Sequence, residues 1–245
     1  MRSKVEQRFN KASKTYDSVS FVQKTTADII AKKLQNAGCV SPTDILDCGT
    51  GTGLITQLLL SIYPDARYYL NDIAVEMLNI CRIKFKGNNN ITYIHKDMYQ
   101  LDDTVYDCVV SNLVLQWADD LSKAIKFLYN KSGKYFAFST LLDGSFDNWI
   151  KVVETYQPVE FISYPSVESL INICKFISED FVYEIEEVTI NFNSVREVLG
   201  YFQKLGASAT YSIMSIPNIR RMVSTYKDSI DIKYKVFIGL YKKGN

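Results

Sequence analysis

The sequence predicts an α/β fold, a doubly wound sheet of seven mostly parallel strands in one domain with helical additions. Three observations predict it. Seven short strand-like runs alternate with stretches of helical apolar spacing, the pattern of βαβ units. A glycine-rich turn joins the first strand to its helix. The 245 residues, 47% of them hydrophobic, suffice for the full core of one such domain.

The elements follow in order. Val19, Val22, Ile29, Ile30 and Leu34 recur near helical spacing from Ser18 to Ala37, and Gly38 suits the stop. Residues 44–48 read as the first strand. Leu54, Ile55, Leu58, Leu59 and Ile62 form the next helical stripe, with Pro64 beyond it. Residues 67–70 are a strand, and Val75, Leu78, Cys81 and Phe85 mark a helix. The turn at Asn88-Asn89-Asn90 precedes a strand over 91–94. A fourth strand over 106–111, a helix over 121–128 and a fifth strand over 135–140 follow. Pro158 and Pro165 break a helical region at 144–178. The remainder reads as a strand over 182–192, helices over 194–204 and 216–227, and a last strand over 234–241.

Composition narrows the function. With 11 Gly and 5 Pro the chain is neither collagen-like nor of low complexity. No apolar run approaches the roughly 18 residues of a membrane helix. The start, Arg2 to Arg8, is polar and lacks the apolar centre of a signal peptide. A cytoplasmic protein without membrane or nucleic-acid partners is expected. Five widely spaced Cys with no C-x-x-C, and one histidine, His95, predict no metal site. His95 would be the sole candidate for imidazole chemistry, and a strand or surface role suits it better. Charge is uneven. Residues 1–34 carry eight Lys/Arg against three Asp/Glu, and residues 196–245 carry nine against three. The stretch between them has 11 against 21. Should the two ends meet in space, they would present one positive face to an acidic partner.

The strongest motif is Asp47-Cys48-Gly49-Thr50-Gly51-Thr52-Gly53, between strand and helix. Glycines let a ligand approach bare backbone, and the helix start offers free N–H groups. Such a loop suits a dinucleotide, a nucleoside triphosphate or S-adenosylmethionine. No Gly-Lys-Ser/Thr is present, and G-x-G-x-x-G fails in register. The D-x-G-x-G-x-G pattern resembles motif I of class I S-adenosylmethionine-dependent methyltransferases. By that resemblance Asp47, Gly49, Gly51 and Gly53 bind the cofactor, with Asp47 toward its amino-acid part. Asp72, nineteen residues after Gly53, stands at the next strand end, where an acid can accept two ribose hydroxyls. His95-Lys96-Asp97-Met98 resembles the adenine-binding segment, with Asp97 toward the exocyclic amine and Met98 beside it. Asn112 closes the fourth strand toward the methyl donor.

Outer segments narrow the resemblance. Phe9-Asn10-Lys11-Ala12-Ser13-Lys14-Thr15-Tyr16-Asp17 with Gln23 resembles the N-terminal signature of the malonyl-acyl-carrier protein O-methyltransferases of biotin synthesis. Ser111-Asn112-Leu113-Val114-Leu115-Gln116-Trp117 is similar to that family's S-N-x-x-x-Q-W. Residues 138–145, Leu205-Gly206-Ala207-Ser208 and Val236-Phe237-Ile238-Gly239-Leu240 follow in matching order. The resemblance implies methyl transfer to the free carboxylate of malonyl-acyl-carrier protein or malonyl-CoA, by a monomer with an antiparallel edge strand. Tyr16 and Trp117 would line the transfer pocket, Tyr16 donating a hydrogen bond and Trp117 walling it, while Gln23 would bind the methionine end. The parts would be an N-terminal helical cap (1–40), a cofactor-binding core (41–142), a helical insertion (143–180) and the rest of the sheet with its inserted helices (181–245). Arg220, Arg221 and Lys227 would suit an acidic carrier. One departure stands out. Some members carry an Arg shortly before the Pro matching Pro165, and here Phe161-Ile162-Ser163-Tyr164 has none. Two alternatives remain: a methyltransferase for another small acid or quinone precursor, and a protein-acting assembly factor of respiratory complex I. Gln116 and the Phe9–Asp17 segment count against the latter.

Overall fold

The computed structural model describes residues 2–158, 161–207 and 214–244, apart from the side chains of Arg2 and Ser3. The helices are α1 (Arg2–Ala12), α2 (Phe21–Asn36), α3 (Leu54–Ile62), α4 (Val75–Lys84), α5 (Leu121–Lys131), α6 (Asp147–Glu154), α7 (Val167–Ile177), α8 (Val195–Leu205) and α9 (Ile216–Thr225). The strands are β1 (Asp44–Cys48), β2 (Arg67–Asp72), β3 (Ile91–His95), β4 (Tyr106–Asn112), β5 (Ser132–Leu141), β6 (Phe181–Phe192) and β7 (Ile230–Lys242).

All seven strands form one sheet in the order β3-β2-β1-β4-β5-β7-β6. β1 to β5 run parallel, and β7 is antiparallel to both neighbours. The expected antiparallel edge strand is therefore corrected: the antiparallel strand is β7, and it lies one place inside the edge. β6 pairs with it at twelve positions and closes its outer edge, while residues 236–241 of β7 are buried on both faces. β7 also begins four residues earlier than its apolar run suggested, because Ile230 and Ile232 are buried within the pairing.

Alternation along the strands divides the core into two layers. Ile45, Cys108, Val110 and Ala137 face α2, α3, α6 and α8. Leu46, Val109, Phe136 and Phe138 face α5 and α7. The chain winds one way from β1 to β3 and the other from β4 to β5, so the order reverses between β1 and β4. Ligands of such sheets bind beyond the strand ends at that reversal. No helix among the described residues is long and apolar enough to cross a membrane.

Candidate active site

The loop after β1 and the turn after β4 meet at the reversal point. Gly49 has φ +72, and a Cβ there would stand 2.4 Å from the Val114 side chain, so the two strand ends close only over glycine. The Gly49 and Thr50 amides donate to the Asn71 carbonyl at 2.8 and 2.9 Å, tying the loop to β2. The Gly51 amide donates to Asp72 Oδ2 at 2.8 Å, and that of Ala74 to Oδ1 at 2.8 Å. Burial, partly offset by these amides, pushes the Asp72 carboxyl up to about 6. Asp47 is fully buried; its Oδ2 accepts Thr50 and Thr56 hydroxyls at 2.7 and 2.6 Å, while Oδ1 has no partner. Burial raises it likewise to about 6.

Two cavities adjoin here. The first, about 120 Å³, is lined by Gly49, Gly51, Asp72, Asp97, Met98 and Asn112 among others. The second, about 400 Å³, is largely apolar, walled by Phe146, Phe161, Tyr164, Phe202 and Tyr234. Val5, Phe9, Tyr16, Leu113 and Trp117 line both, so these five side chains form the partition. Phe9 meets Trp117 edge to face at 5.7 Å and Tyr16 at 6.3 Å. Burial, then the Asp72 charge, pushes the Tyr16 hydroxyl above its ordinary range, so it remains a donor. The cavities differ in charge. Asp72, Asp97 and Lys96 line the first; Lys4 and Arg8 line the second, which has no acid among its described residues.

The N-terminal signature also acts as a set of anchors. Asn10 Oδ1 accepts the Glu76 amide at the head of α4 at 2.9 Å. The Thr15 hydroxyl donates to the Lys204 carbonyl at the end of α8 at 3.0 Å. Asp17 accepts the Thr52 hydroxyl of the glycine loop and pairs with Lys84 at 3.1 Å. Gly206 completes the seat, since a Cβ there would approach Ala12 Cβ to 3.1 Å and Phe9 to 3.2 Å. Its motif partner Ser208 lies outside the described residues.

Of the sequence-derived site residues, Gly49, Gly51, Asp72, Asp97, Met98 and Asn112 line the first cavity, and Tyr16 and Trp117 line both. Three stand elsewhere. Gly53 heads α3 against the Phe85 ring, Asp47 points into the hydroxyls of Thr50 and Thr56, and Gln23 borders the second cavity. The Asn112 amide is occupied: it donates to the Gln23 carbonyl at 2.9 Å and accepts Thr26 and Ser139 hydroxyls at 2.7 Å each. It thus fastens α2 to β4 and β5. His95 is exposed and bonded to the Ile73 carbonyl at 3.0 Å. Among the described residues no three His, Cys, Asp or Glu side chains could hold a metal ion.

Sequence reasoning missed Val5, Phe9 and Leu113. Leu113 has φ +55, a costly conformation for a leucine, and Gln116 Nε2 holds its carbonyl at 2.6 Å. Phe146, the other non-glycine residue of positive φ in the described chain, lines the second cavity too. The glutamine of the Q-W pair was visible in the sequence, and its contact with Leu113 is its visible task.

Comparison with known proteins fits this geometry. Residues 46–131 match the Methyltransferase domain family. The chain is 28% identical over 244 residues to the malonyl-acyl-carrier protein O-methyltransferase of Neorickettsia risticii, covering 98% of this chain and 96% of that protein. It is 30% identical over 224 residues to the enzyme of the same name from Acetivibrio thermocellus, covering 83% and 78%. In fold it is similar to a Synechocystis magnesium protoporphyrin IX methyltransferase crystallised with S-adenosylhomocysteine, at TM-score 0.62 and 16% identity, over 96% of this chain and 99% of that one. The chain belongs to the malonyl-acyl-carrier protein O-methyltransferase family.

Proposed function

We propose that the chain methylates the free carboxylate of a malonyl thioester with S-adenosylmethionine, giving the methyl ester, an early step of biotin (pimeloyl) synthesis. The observation that carries this reading is the pair of adjoining cavities with different charged linings, Asp72, Asp97 and Lys96 in one and Lys4 and Arg8 in the other, parted by Val5, Phe9, Tyr16, Leu113 and Trp117. A cationic cofactor suits the side with two acids, and an anionic acceptor suits the side with two cations.

The residues fit the cofactor. Asp72 presents a buried carboxylate for two ribose hydroxyls, Asp97 and Met98 border the adenine end, and Asp47, outside the cavity lining, keeps a buried unpartnered Oδ1 beneath the glycine loop. When bound, the cofactor supplies a methyl on a sulfonium, which a carboxylate oxygen takes while the S–C bonding electrons pass to sulfur. The protein moves no proton, because a carboxyl of intrinsic pKa ~4 is ionised at neutral pH. Its work is alignment and exclusion of water. Tyr16 donates a hydrogen bond at the partition, and Phe9 and Trp117 close it.

Malonyl-acyl-carrier protein is the acceptor this reading favours, with malonyl-CoA as the smaller alternative. α1 packs on α8, and α8 on α9, so the two basic ends of the sequence meet. Lys4 and Arg8 border the second cavity, and Arg220 and Arg221 are exposed on α9. An acidic carrier fits these cations. The names of the relatives favour neither the complex I factor nor the quinone-precursor reading.

The test is methyl transfer from labelled S-adenosylmethionine to malonyl-carrier protein, malonyl-CoA and a blank, with the product weighed. A methyl ester on a malonyl thioester supports the reading. Cofactor binding without an ester on either thioester overturns it.

A further inference from the structure

Building on that reading, we propose that the side-chain amide of Gln23, at the head of α2, binds the substrate carboxylate in the second cavity. The N-terminal signature implies a place for Gln23 at the methionine end of the cofactor, and the cavities put it on the other side. Gln23 lines the second cavity and does not belong to the described lining of the first. Asn112 stands between the two. Its side chain lines the first cavity and donates to the Gln23 carbonyl at 2.9 Å, while Gln23 itself borders the acceptor side.

Two further observations point to an anion at this position. Gln23 is 7% exposed, and its Oε1 is enclosed without a hydrogen-bond partner. Nε2 has no partner among the described residues either, and it is the half of the amide left accessible. An amide kept unpaired in a largely apolar cavity is costly, and a ligand oxygen would satisfy its donor. Gln23 also sits in the first turn of α2, a 16-residue helix whose N-cap Ser20 makes no capping bond and whose first turn holds no acid. Neither cap nor first turn offsets the partial positive charge of that helix end, which favours an anion. The carboxylate is the part of the acceptor that has to approach the sulfonium. Gln23 stands at that end of the cavity, because its anchor Asn112 adjoins Leu113 of the partition. Tyr16, which lines both cavities, offers a second donor, one for each carboxylate oxygen. Hydrogen bonds to the charged acid are stronger than those to the neutral ester, so the same contact favours substrate over product.

The experiment compares wild type with Gln23→Leu, which keeps the bulk and removes both polar atoms. Three quantities are read: KM for malonyl-CoA, the competitive Ki of acetyl-CoA, which has the thioester but no carboxylate, and the Kd of S-adenosylhomocysteine. Gln23→Leu is expected to raise KM about 10–100-fold with kcat less affected, while Ki and Kd stay unchanged. An unchanged KM overturns the assignment. Equal losses for malonyl-CoA and acetyl-CoA also overturn it, because Gln23 would then hold the thioester carbonyl. A loss of affinity for S-adenosylhomocysteine as large as that for malonyl-CoA returns Gln23 to the methionine end and overturns it too. A measurement on the wild type holds whether or not the variant folds. With isotope-labelled glutamine side chains and saturating S-adenosylhomocysteine, malonyl-CoA should shift the Gln23 amide proton resonances and acetyl-CoA should not. No shift with malonyl-CoA bound overturns the assignment. If the wild type esterifies neither malonyl-CoA nor malonyl-carrier protein, the proposed function has failed rather than this assignment alone.

Discussion

Two buried acids make the site costly to fold. Asp47 and Asp72 are each raised to about 6, so at neutral pH the folded protein holds charges it would prefer to neutralise. Because these carboxyls bind protons more tightly when folded, their destabilisation is full above pH ~6 and gone below ~4. A shift of two units is worth on the order of 2–3 kcal/mol per acid. Asp47→Asn should therefore leave Tm at pH 7.5 unchanged or higher while weakening cofactor binding, as calorimetry and thermal melts would show. A large fall in Tm would mean that the bonds from Thr50 and Thr56 need the charge. Asp72→Ala should reduce cofactor affinity by ~100-fold or more, since two charge-assisted bonds disappear. Cofactor affinity of the wild type should also fall as pH drops from 7 to 5, as Asp72 takes up its proton. Acids at strand ends were legible in the sequence because their place follows from the alternation of strands and loops. The Leu113 backbone was not, because a positive φ in a non-glycine residue leaves no mark on composition.

Among the elements, α1 supplies the outer wall of the site. Its apolar side chains Val5 and Phe9 wall both cavities, and its neighbours Thr15 and Asp17 fasten it to α8 and to the glycine loop. Asp17→Ala removes the bond from Thr52 and the pair with Lys84. Hydrogen exchange over residues 2–18 should accelerate by ~10-fold, with core protection on β1 and β4 unchanged. Protection lost throughout the sheet would instead make Asp17 part of the global fold. Gly206→Ala should lower kcat/KM by ~10-fold, because φ +74 and the contacts with Ala12 and Phe9 together push α1 outward. A wild-type rate would show that α1 tolerates the shift. The sequence located nearly every strand and helix, since each has its own apolar period. It could not order β6 and β7: both are long alternating runs, and which of them pairs with β5 depends on contacts far apart in the chain.

Across the whole molecule, charge is sorted by position. Helices from the two basic ends of the chain are neighbours through α1, α8 and α9, and among the described residues two acids and a lysine line the first cavity while two cations line the second. Composition revealed the basic ends, but their meeting depends on tertiary packing that no local pattern encodes. Reversing Arg220 and Arg221 to Glu should raise KM for malonyl-carrier protein by ~10-fold, leave malonyl-CoA nearly unaffected and flatten the salt dependence. Equal effects on both acceptors would remove α9 from the carrier face. The most direct test of the account is a structure of the dead-end complex with S-adenosylhomocysteine and a malonyl thioester. The cofactor sulfur should lie in the first cavity and the malonyl carboxylate in the second. Sulfur and the nearer oxygen should then stand about 5 Å apart through an open path beside Tyr16 and Trp117, room for one methyl in line. An acyl group bound outside the second cavity, or a carboxylate turned away from the sulfur, would contradict it.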